Sequence, residues 1–148
     1  MKDAASVLND LIETSRDGEK GFTRAREETT DPELETLFRQ SALRCHKAAH
    51  QLQECVVSLG GKPETRGSAL GAVHRGWLDL KASVTGRDNK ALLEECERGE
   101  DVAKARYADA LKNELPPEVH ALVEKQYQGV MENHDKVKAL RDKHQAAK

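Results

Sequence analysis

Three short breaks, Thr29-Thr30-Asp31-Pro32, Gly60-Gly61 and Pro116-Pro117, separate long stretches in which apolar residues recur every three or four positions. That spacing is the period of one helix face, so the chain is confined to long amphipathic helices packed on one another. The first helix is expected from about Asp3 to Glu28, with Leu8, Leu11, Ser15, Gly18, Phe22 and Ala25 on its stripe. Asp31 suits an N-cap and Pro32 a first helical residue. A second helix should therefore run from Pro32 to about Leu59, striped by Leu34, Phe38, Ser41, Ala42, Cys45, Ala49, Leu52, Val56 and Leu59. Gly60-Gly61 stops it, because glycine takes the left-handed conformation after a helix at little cost.

The stretch from Lys62 to Arg87 is the least regular and holds four glycines and a proline. Leu70, Val73, Trp77, Leu80 and Val84 still step by three and four, which predicts a short helix from Ser68 to about Val84 with Trp77 as its anchor on the bundle. Asp88 should cap a third long helix ending near Asn113, striped by Leu92, Cys96, Gly99 or Glu100, Ala103, Tyr107 and Ala110. Pro116-Pro117 opens a fourth, to about His144, striped by Val119, Val123, Gln126, Val130, His134, Val137 and Leu140.

Composition narrows what such helices can be. With 34% charged residues and no apolar run of spanning length, they are not membrane helices. A net charge of −2 gives no basic footprint for nucleic acid. The N-terminal segment lacks the apolar core of a secretory signal. Three cysteines, Cys45, Cys55 and Cys96, without close-set motifs fit reduced thiols in a cytoplasm. One domain over residues 1–148 is expected, since the length is that of an ordinary domain.

Two short turns and one long connection restrict the topology. A helix of about 17 residues spans about 25 Å, enough to carry the chain from one end of a bundle to the other. Two antiparallel hairpins joined by such a crossover make a ferritin-like four-helix bundle, all-α, with a short fifth helix in the connection. Counting about ten residues down each helix from the Asp31 end puts Glu19, Ala42–His46, Glu97–Glu100 and Glu132–Asp135 at one height. A candidate buried polar cluster of Glu19, Glu97, Glu100, Gln126 and His134 follows. A buried carboxylate must be paired, hydrogen-bonded, protonated or metal-bound.

Iron or manganese is the cofactor such a cluster suggests, with Glu19, Glu100, His134 and His46 as ligands. Ferritin-like carboxylate sites take one Glu from each of two helices and Glu-x-x-His from each of the others. Both Glu-x-x-His motifs are broken here, because Leu43 precedes His46 by three and Met131 precedes His134 by three. The favoured expectation is a hydrogen-bonded polar cluster in a non-enzymatic, stress-linked or protein-binding module; the alternative is a di-iron or di-manganese protein with oxidase or oxygen-handling activity. A second copy or a protein partner would cover what the bundle leaves exposed. His46 and His50 stand four apart, as two metal ligands on one helix would, but no third ligand is fixed. Cys45 reads as a small core residue, and Tyr107 and Tyr127 as a core pair with satisfied hydroxyls. Glu94-Glu95 and Lys136–Lys143 read as solvated faces. The role of His74 is open.

The segments VLNDLIETSRDGEKGF, LGGKPETRGSALGAVHRGWLDLK, EECERGEDVAKARYADAL and VEKQYQGVMENHDKVKAL resemble those of a bacterial family of four-helix-bundle proteins of unassigned function within the ferritin-like superfamily. The resemblance covers nearly the whole chain and implies the fold and a bacterial cytoplasmic setting, without an activity. In the wider superfamily, di-iron ligands would map by position onto Glu19, Glu97 or Glu100, and His134. The second helix lacks the Glu that this pattern expects.

Overall fold

In the computed structural model of the chain, the residues described are 2–65, 67, 76–77 and 89–146. They form four helices: α1 (Ala4–Glu28), α2 (Pro32–Ser58), α3 (Asn89–Ala110) and α4 (Pro117–Ala146). Local chemistry sets their ends. The Asp3 carboxylate accepts from the Ser6 amide at the start of α1, and Asp31 accepts from Glu33 and Leu34 at the start of α2, ahead of Pro32. α2 ends where Gly60 turns to φ 80° and the Gly61 amide donates back to the Val56 carbonyl. α3 stops at Ala110, three residues before the expected Asn113, because residues 111–113 tighten into turns ahead of the prolines.

Most of the expected short helix lies outside the described residues, with Leu70, Val73, His74, Leu80 and Val84, and so does Asp88. At its centre Gly76 has φ 91°, a left-handed turn that an unbroken helix from Ser68 to Val84 would not contain. Trp77 itself is buried, its ring edge-on to Phe22 with centroids 5.1 Å apart. The indole lies where side chains at Gly21 and Gly99 would be, so it wedges between α1 and α3 only because both positions are glycine.

α1 packs along α2 and α3 along α4; α1 also lies against α3, while α2 and α4 touch little. The apolar stripes meet in two clusters. One holds Leu8, Leu11, Ile12, Leu52, Val56, Tyr107 and Val123 at the end of the bundle holding Pro117. The other holds Phe22, Leu34, Phe38, Trp77, Leu92, Leu93 and Val137 at the Asp31 end. Between them lies a belt where the stripes carry polar residues. Among the described residues, no helix is long and apolar enough to cross a membrane.

Candidate functional site

The belt begins with Glu100, whose side chain on α3 is 3% exposed. Arg44 reaches across from α2 and places Nη2 2.8 Å from Glu100 Oε1. Asn133 on α4 donates its amide to the same oxygen, and Ser41 Oγ stands 3.0 Å from Asn133 Oδ1. Three helices are thus tied by one chain of polar groups. Burial pushes the Glu100 carboxyl above its ordinary value, while Arg44, Asn133 and His134 pull the other way.

Glu19 does not join this group. It binds Arg16 at 2.8 Å and His46 Nδ1 at 2.8 Å between α1 and α2, with its side chain 29% exposed. His46 sits edge-on to His50 and is itself largely in solvent. His134 lies at the α3–α4 seam, with Nε2 2.6 Å from Asp101 Oδ1 and Nδ1 3.5 Å from Asp135 Oδ1. Glu97, one turn before Asp101, is held by Arg141 at 2.6 Å. Gln126 is lower still: it accepts from the Tyr107 hydroxyl at 2.8 Å and donates to Gln51 and to the Ala48 carbonyl.

The expected single contact shell of Glu19, Glu100 and His134 is therefore three groups at one height, facing three directions. Arg16, Arg44, Asp101 and Asn133 complete them and were not singled out from the sequence. Asn133 had a readable signal, since it continues the Val130–Val137 stripe beside His134. Arg44 had almost none, because a long cationic side chain next to a stripe is ordinarily solvated.

These groups do not fit a dinuclear carboxylate centre. Such a centre needs the inward carboxylates free to bind metal, and here the Arg44 guanidinium and the Asn133 amide both already donate to the buried Glu100. At this level α2 contributes Arg44 in place of a Glu, adding a positive charge where metal cations would need a negative one. Cys45 is no nucleophile either: burial pushes its thiol up to about 12. Burial likewise raises the Tyr107 hydroxyl, which stays a neutral hydrogen-bond donor.

Where α2 and α4 part, a cleft of about 400 Å³ opens into the belt. Its floor is Phe22, Trp77, Tyr107 and Val130, its wall carries Arg44 and Gln126, and Lys47 and Lys125 also line it. The buried Arg44 Nε has no hydrogen-bond partner. Small residues, Gly18, Ala48, Ala103 and Gly129 among them, leave the space open.

The fold and this belt define the class: a ferritin-like helical bundle whose centre is closed by an ion pair. Comparison with known proteins agrees on the fold. The chain superimposes with a TM-score of 0.78 on a two-domain protein from Anabaena variabilis containing DJ-1/ThiJ/PfpI-like and ferritin-like domains, at 14% identity over 99% of this chain. It spans 38% of the length of that protein. With a Dps1 variant from Mycobacterium smegmatis the TM-score is 0.76 at 15% identity, covering 94% of this chain and 95% of the other. No protein of curated function matches the sequence. Residues 3–113 match the family described as "Domain of unknown function (DUF2383)", and the chain belongs to that family.

Proposed function

We propose that this chain is a non-enzymatic binding module, and that its ligand is a small amphipathic anion held in the cleft between α2 and α4. The carrying observation is the buried Arg44 Nε, a donor without an acceptor among the described residues, on the wall of a cavity whose surface is mainly apolar. A buried unpaired donor costs about 1–3 kcal/mol, which an incoming acceptor oxygen would offset. The volume suits a small molecule, and its lining of apolar surface with a few polar groups is that of a ligand pocket. Lys47 and Lys125 supply positive charge that Glu100 does not neutralise. An aliphatic or aromatic carboxylate meets all three conditions. The reading as a di-iron or di-manganese oxidase is disfavoured by the Arg44–Glu100 pair, which occupies the carboxylate that such a centre would need.

The test is a titration with decanoate, followed by calorimetry and by fluorescence of Trp77, the chain's one tryptophan and part of the cleft floor. Binding at one equivalent per chain is expected, weakened at least tenfold in Gly129→Leu, which fills the cleft from a position where an added Cβ meets only Arg44 Cδ, at 3.9 Å. Equal affinity in parent and variant, or no binding of decanoate to the parent, would overturn the proposal.

A further inference from the structure

The third group of the belt has features that an ion pair alone does not explain. Glu97 and Asp101 stand four apart on α3, on one helix face, and His134 of α4 meets them. One donor atom from each lies within 4.8 Å of the other two. His134 has its side chain nine-tenths buried, and its Nε2 has no aligned hydrogen bond although Asp101 Oδ1 is 2.6 Å away. Glu97 Oε2, also buried, has no aligned hydrogen bond despite its contact with Arg141. At this angle an Nε2–H makes no aligned hydrogen bond to Asp101, and an unprotonated Nε2 would meet the carboxylate acceptor to acceptor; a metal ion between them removes either conflict.

We infer that Glu97, Asp101 and His134 form a mononuclear site for a divalent transition-metal ion of the zinc, cobalt or ferrous type. One nitrogen and two carboxylate donors suit such ions, whereas magnesium and calcium prefer oxygen alone. Metal–ligand bonds of about 2.0–2.2 Å bring donors about 3–4 Å apart, so the His134–Asp101 pair, now at 2.6 Å, would open slightly around an ion while all three donors stay within the 4.8 Å they already span. Asp135 stands on the Nδ1 side of the ring, the arrangement that leaves Nε2 with the lone pair for a metal. Asp101, whose side chain is 56% exposed, gives the ion a path from solvent and leaves room for water as a further ligand. Arg141 holds Glu97 Oε2 at 2.6 Å, so Glu97 offers the ion its other oxygen while Arg141 offsets one carboxylate charge. It lies at the α3–α4 seam and uses neither Glu19 nor Glu100, so it requires neither the Arg44–Glu100 pair to open nor the cleft to be filled.

Isothermal titration of chelator-treated protein with zinc, and cobalt titration followed by visible absorption, decide the matter. The expected result is one equivalent per chain, with a cobalt spectrum of a nitrogen- and oxygen-ligated ion. His134→Ala should weaken binding at least about 100-fold and Asp135→Asn about tenfold. Glu19→Ala should leave it unchanged. Circular dichroism keeps the test fair: if His134→Ala is misfolded, Asp101→Asn, at a largely exposed position, must show the same loss. Absence of stoichiometric binding to the parent would show that a proton on Nε2, not a metal ion, lies between His134 and Asp101. Binding that survives both substitutions, or that is lost in Glu19→Ala, would place the ion elsewhere. Each of these results overturns the inference.

Discussion

Replacing Arg44 by Met should destabilise the bundle strongly, while a second change at Glu100 should restore most of the loss. Glu100 is 3% exposed and Arg44 28% exposed at their side chains. Removing one partner of a buried pair costs about 3–5 kcal/mol, because the other charge is left without compensation. Since Arg44 is partly wet, the lower end applies: about 3 kcal/mol, or a fall of about 6–12 °C in Tm for a chain of this size. In Arg44→Met/Glu100→Gln no charge is buried, and the Asn133 amide still finds an acceptor at position 100. The double variant should recover about 2 kcal/mol of the deficit. The pH dependence has a definite sign. The folded-state carboxyl of Glu100 is raised by burial, so its contribution is fully present below its unfolded value and is lost as pH rises through the folded one. Without Arg44 the rise is larger. The deficit of Arg44→Met should therefore be small near about pH 4 and full near about pH 7. The other groups acting on Glu100 are Asn133 and His134 from α4, which both variants retain. Urea unfolding followed by circular dichroism at both pH values measures all of this. A deficit independent of pH, or a double variant no more stable than Arg44→Met, would refute the reasoning.

Trp77→Ala should cost about 3–5 kcal/mol, the range for emptying a large core site, with a Tm that does not depend on protein concentration. A parent Tm that rises with concentration, together with a stable monomeric variant, would place Trp77 at a subunit contact instead. Gly129→Ala should stabilise α4 by about 0.5–1 kcal/mol, since an added Cβ meets only Arg44 Cδ at 3.9 Å and alanine is the better helix former; a loss of stability would mean that the cleft is narrower than described.

The helices were readable because their signals are local. Stripes at three and four, Asp31 before Pro32, and Gly60-Gly61 each act within one turn, and the observed ends fall within a few residues of those expected. The height of the polar belt was readable for the same reason, as rise per residue is fixed. Its division into three groups was not. A step of one residue turns the helix about 100°, so Glu100 and Asp101 share a level while facing different neighbours. Height alone could not tell which of them meets His134. Trp77 announced itself as an anchor, whereas its slot depends on two glycines 78 positions apart, Gly21 and Gly99, which only packing brings together. Arg44 illustrates the remaining limit: its meaning comes from Glu100 on another helix, and no pattern within α2 records it.

Anaerobic ferrous titration followed by exposure to oxygen tests most directly whether the centre of this bundle is closed by an ion pair. The account predicts at most one ferrous ion per chain, lost in His134→Ala, retained in Glu19→Ala and Glu100→Gln, with no stoichiometric oxygen consumption. Two ferrous ions per chain, both lost in Glu19→Ala and accompanied by rapid oxygen uptake, would contradict it.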